Sequence, residues 1–162
     1  METITVGSLK DSARIWIYKS DRVLNDKEIE CINRKLDSFL DQWNTHGKNL
    51  VAEAWVEDNV FIILAIDEDH QSASGCSIDQ SVHFIRQIGD RMNIDFFDRM
   101  VFVYQDDEAE VHFVGARDLC KLYEKGIVDD DTLFYNTLLE DKGSWNQKKL
   151  QPLAKSWHSK FL

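Results

Sequence analysis

Residues 50–66 read LVAEAWVEDNVFIILAI. The first half, 50–57, sets apolar residues beside Glu53 and Glu57 in a strand-like run. The second half, 60–66 (VFIILAI), is apolar at every position. A run that short with no polar face predicts a central strand, buried on both sides. Asp58-Asn59 between the halves is a short hairpin turn, since both side chains suit tight turns. The stretch therefore marks the middle of a sheet.

Working outward, residues 14–19 (RIWIYK) alternate and favour β structure, which predicts another strand. A helix follows. Asn25 caps it, Glu28 completes a capping box, and Leu24 staples onto Ile29. Ile29, Ile32, Leu36, Phe39 and Trp43 give its apolar stripe, and Gly47 as C′ residue ends it near His46. On the other side of the hairpin, 67–75 is a polar loop. A second helix then starts at a capping box of Ser77 and Gln80, with Ile78, Val82, Ile85, Ile88 and Met92 facing the core. Residues 100–105 and 111–114 are two further strands around a hairpin at 106–108.

The order β-α-β-β-α-β-β predicts an α+β fold whose first six elements make a ferredoxin-like (split βαβ) antiparallel sheet with two helices on one face. The fifth strand extends its edge. Residues 1–105 form that core, and 106–162 form a C-terminal α/β appendage packed on it. In the appendage, 117–125 is a short helix closed by Gly126, and 133–139 fits strand or helix equally. Trp145 and the run PLAKSWHSKFL carry too much apolar surface to stay in water.

The 162 residues carry a net charge of -10, which disfavours nucleic acid and anionic lipid as partners. Cys31, Cys76 and Cys120 are few, odd in number and far apart, the pattern of reduced thiols. With no apolar h-region in METITVGSLKDSARIW and no run long enough to span a bilayer, a cytoplasmic protein without membrane insertion is expected.

The topology would also gather residues distant in sequence. The first helix ends, through Trp43 and His46, at the edge where the second begins, at Gly75, Cys76 and Ser77. Asp67 and Glu68 leave the third strand there too. Three readings fit this corner. Ser77 and Gly75 serve a helix cap alone. Alternatively, Gly75, Ser77, Asp67, Glu68 and Trp43 bind a small anion or metabolite at the helix N-terminus. As a third reading, Cys76 is a nucleophilic thiolate, with His46 as base and the Ser77 and Ile78 N–H groups stabilising an oxyanion. Residues 67–70 (DEDH) lack the ligand spacing of an EF-hand, so no metal is expected. No P-loop, GxGxxG, HExxH or GxSxG motif is present, so no cofactor is expected.

WNTHG (43–47), VFIILAIDE (60–68), SGCSIDQSVHFI (74–85), DFFDRM (95–100) and SWHSKFL (156–162) together resemble a family of small uncharacterised bacterial proteins often labelled "ABC transporter ATPase". Such an ATPase needs a Walker A loop, which this sequence lacks, so the resemblance does not carry ATP hydrolysis. DLCKLYEKGIVDDDTLFYN (118–136), Trp145 and Pro152-Leu153 resemble the tail of bacterial GYF-type domains. Related modules bind proline-rich peptides through an aromatic surface. The aromatic N-terminal segment of those domains is not evident here, so no binding residue is carried over. The expected function is a non-enzymatic interaction module for an unknown protein or small molecule, with a second copy of the chain as one such partner. The alternative is a cysteine-dependent enzyme or an anion-binding protein at the corner above.

Overall fold

The computed structural model describes residues 9–45, 47–69 and 71–162. The elements run β1 (Arg14–Lys19), α1 (Asp26–Gln42), β2 (Asn44–Thr45), β3 (Lys48–Asn49), β4 (Ala52–Glu57), β5 (Phe61–Ile66) and α2 (Gly75–Met92). They continue with β6 (Val101–Gln105), β7 (Val111–Gly115), α3 (Leu119–Glu124), β8 (Leu133–Tyr135), α4 (Lys142–Lys148) and β9 (Leu150–Pro152). Two short 3-10 turns, Leu153–Lys155 and Trp157–Phe161, finish the chain. The protein is α+β, with antiparallel sheets.

The main sheet has the order β1-β5-β4. Every residue of β5 is buried, as an apolar strand between two layers must be. The two-residue period of the strand divides its side chains. Ile62, Leu64 and Ile66 meet Ile32 and Leu36 of α1 and Ile85 and Ile88 of α2 on one face. Phe61, Ile63 and Ala65 meet Trp145, Tyr135 and Val103 on the other. Asp58 and Asn59 have φ of 52° and 58°, the paired positive values of a tight hairpin turn.

The α1 cap forms as read. Asn25 accepts from the Glu28 N–H at 2.9 Å and Glu28 accepts from the Asn25 N–H at 3.0 Å. The Arg22 guanidinium holds the Glu28 carboxyl well below its usual range, at about 2. The other end of α1 differs from expectation. The helix stops at Gln42, because Trp43 turns extended and its indole passes under the start of α2. Gly47, with φ of 78°, serves the turn between β2 and β3 rather than a helix C-terminus.

β6, the strand expected beside β1, hydrogen bonds instead with β7 and β8 in a second sheet of order β7-β6-β8-β9. The ambiguous stretch after Thr132 is a short strand, β8, followed by a turn. This second unit is clamped to the main sheet by polar groups. Lys142 reaches Glu53 at 2.7 Å and the Leu9 carbonyl at 2.8 Å, with its side chain 5% exposed and that of Glu53 1%. The Lys142 and Gly143 N–H groups donate to Ala13 and Asp11. The chains pass so closely that a Cβ on Gly143 would stand 2.8 Å from Asp11 Cβ. Glu57 accepts from the Trp55 and Trp145 indoles and pairs with Lys149. The Tyr135 hydroxyl donates to Asp58 at 2.6 Å, and burial together with that carboxylate raises the phenol above its usual range.

Candidate functional site

At the start of α2 the cap is built from Ser74 and Ser77, not from Ser77 and Gln80. Ser74 takes a β conformation and its Oγ accepts from the Ser77 N–H at 3.1 Å, while Ser77 Oγ accepts from the Ser74 N–H at 2.8 Å. The reason is the extra turn: α2 begins at Gly75, so Ser77 is already inside it. Ser77 is buried, and its carbonyl accepts from the Trp43 indole at 2.8 Å. Ser77 and Trp43 thus serve to fix α1 against α2. Glu68 Oε2 accepts from the Ala73 N–H at 3.2 Å and ties the loop before the helix. Asp67 is nearly buried, and its Oδ1 accepts from the Asp69 N–H. Gly75 and Cys76 are exposed, with open space around the Gly75 Cα. His46, the base of the thiol reading, lies outside the described residues, as does His70. No described residue stands as a base within hydrogen-bond reach of the Cys76 sulfur. The structure therefore joins Trp43 to Ser77 and Glu68 to the loop ahead of α2. Neither contact engages Cys76.

Two other features are more developed. One is a slot of about 730 Å³ between β1 and β6. Antiparallel pairing directs alternate residues to alternate edges. The Ile15 N–H donates away from β5, to the Glu140 carbonyl, whereas the Ser20 N–H donates to Val60 on the β5 side. By the same alternation Ile17 and Lys19 point their backbone groups into the slot. Neither has a backbone partner among the described residues. Across the slot, β8 pairs only with Tyr104 and Gln105 of β6, leaving that edge uncovered at Val101. Ile78, Val82 and Phe97 line one part of the slot, and Leu139 and Trp157 another. The Trp157 indole N–H is buried with no partner among the described residues. At the rim, Met100 and Leu138 are 53% and 63% exposed.

His158 also lines the slot, buried and stacked on Trp157 at 3.9 Å. Burial, then the nearby Lys160 charge, pushes its imidazole down to about 4. The folded protein therefore favours neutral His158, while the unfolded chain takes up the proton near 6.5. The stabilisation is complete above pH 6.5 and is lost as pH falls toward 4. In urea titrations across that window, the natural protein is expected to lose up to about 3 kcal/mol more than His158→Gln. Parallel pH profiles for the two proteins would refute the assignment.

The other feature is a groove of about 710 Å³ between α1 and α2 on their outer side. Phe39 and Phe84 stack across it at 4.3 Å, and Arg34, Lys35 and Arg91 stand along it.

No known protein family, curated protein or solved structure matches the chain. The functional reading therefore rests on the geometry. Among the described residues no three His, Cys, Asp or Glu side chains gather to hold a metal ion, and no helix is long and apolar enough to cross a membrane.

Proposed function

We propose that this chain is an interaction module that takes an extended segment of a partner protein into the slot between β1 and β6. The observation that carries the reading is the pair of unpaired backbone positions on β1, Ile17 and Lys19, facing an uncovered stretch of β6. Unpaired N–H and C=O groups in a row select an extended backbone, and the apolar lining selects its side chains. Lys19 is itself buried. The two-residue alternation gives the incoming strand one face toward Ile78, Val82 and Phe97. Its other face would lie toward Leu139 and Trp157.

This reading completes the ferredoxin-like plan. β5 lies antiparallel between β1 and β4, an order that supports such a plan. The place beside β1, which the fourth strand of such a sheet would fill, is the slot. The partner supplies that strand.

The test is selection from a displayed random-peptide library, followed by amide exchange. Peptides that bind are expected to protect the Ile17 and Lys19 amides. Ile17→Pro removes a donor that β5 does not use; measured against Ile17→Ala, which matches the loss of its half-buried side chain, it should weaken binding by about fivefold or more, one hydrogen bond's worth. Selected peptides that leave both amides unprotected would sink the reading. Sedimentation of the protein alone shows whether a second copy is the partner.

A further inference from the structure

The groove between α1 and α2 goes beyond the strand slot, since it lies on the outer side of the helices and has a different chemistry. α1 lines it with Cys31, Arg34, Lys35, Ser38, Phe39 and Gln42. α2 lines it with Gln80, His83, Phe84, Gln87, Ile88 and Arg91. On each helix the positions recur at three- and four-residue spacing across twelve residues, a rise of about 16 Å or roughly three turns. The helices run in opposite directions. Trp43 after α1 bonds Ser77 at the start of α2, and Arg22 before α1 bonds the Met92 carbonyl at the end of α2. Two antiparallel ridges of this length make a seat for a third helix.

Charge decides what kind of helix. The chain holds 29 Asp and Glu against 19 Lys and Arg. The groove reverses that balance, because none of its lining residues is acidic and Arg34, Lys35 and Arg91 are all cationic. The carboxylates of these helices, such as Asp37, Asp41, Asp79 and Asp90, do not line it. Glu30 pairs with Arg34 at 3.6 Å, but both side chains are over two-thirds exposed, so the pair is weak and replaceable. The floor between the cations is apolar: the Phe39–Phe84 stack and the buried Ile88. We propose that this groove docks an acidic amphipathic helix of a partner protein. Its apolar stripe would lie on Phe39, Phe84 and Ile88, and its carboxylates on Arg34, Lys35 and Arg91.

The probe is a synthetic three-turn helical peptide with Leu at the i, i+3, i+4 and i+7 positions and Glu elsewhere. Two controls accompany it: the same peptide with Lys for Glu, and a Glu-rich peptide without the Leu stripe. Fluorescence anisotropy is expected to show binding of the first alone, weakening as salt rises. Arg34→Glu and Arg91→Glu, both exposed positions, should each lower affinity about fivefold or more. In a Cys76→Ser, Cys120→Ser background, the bound peptide should slow alkylation of Cys31. Equal binding of the acidic and Lys peptides, or of the stripe-less control, overturns the proposal. So does binding that ignores the charge reversals. Ile17→Pro should leave this binding intact. Its loss there would place the peptide in the strand slot instead and overturn the groove assignment.

Discussion

Lys142→Met is expected to destabilise the protein by about 3–5 kcal/mol, the cost of breaking a buried ion pair from one side. Lys142 and Glu53 are almost wholly buried and 2.7 Å apart. Removing the ammonium takes the Lys142 ion pair from the buried Glu53 carboxylate and the Lys142 donor from the Leu9 carbonyl. A Met of similar length fills the space, so the loss reports charge rather than a cavity. The double variant Glu53→Leu with Lys142→Met should regain most of the stability, because both ions are then gone. Urea denaturation of the singles and the double checks this. If the double variant is no more stable than Lys142→Met, the pair is not the clamp described above.

Trp145→Ala should cost a similar amount, about 3–5 kcal/mol, by a different route. Its indole is fully buried, edge-on to Phe61 at 5.4 Å and stacked near Tyr135. Its N–H donates to Glu57, which also holds Trp55 and Lys149. Truncation thus opens a large cavity against β5 and removes one donor from a shared carboxylate. Trp145→Phe keeps most of the volume and loses only the donor, so it should cost about 1–3 kcal/mol. Thermal and urea unfolding of both variants separate the contributions. A Trp145→Ala protein as stable as the natural one would mean that the second unit does not support the main sheet.

Much of the main sheet was legible because its signals are local. The all-apolar run of β5 and the Asp58-Asn59 turn announce themselves. The Asn25–Glu28 cap is likewise a matter of a few neighbouring residues. The position of β6 was not legible. Its residues VFVYQ suit an edge of either sheet, and the choice depends on β7 and β8, which compete for it over long range. The end of α1 was misread because Gly47 looks like a helix stop. What stops the helix is Trp43 bonding a carbonyl 34 residues away.

The corner around Cys76 was partly legible. Sequence placed Trp43 beside Ser77, but read the cap one turn late, since Ser74 and Ser77 both fit a cap. The strand slot left no local trace, because an unpaired edge exists only once the neighbouring strand is known to be elsewhere. The cationic groove left one that went unused: Lys35, Gln87 and Arg91 recur at helical spacing beside the apolar stripes, with Arg34 next to them.

The clamp on Glu53 and the double-sided burial of β5 also bear on the order in which the chain settles during its synthesis. When β1, β4 and β5 have left the ribosome, the face carrying Phe61 and Ile63 still lacks Tyr135 and Trp145, and Glu53 still lacks Lys142. Those partners follow much later: Trp145 emerges 88 residues after the Glu57 it bonds. The nascent chain therefore carries its most apolar strand without that cover until late in its synthesis, which makes that interval, rather than the finished protein, the time when this face is most open to other apolar chains.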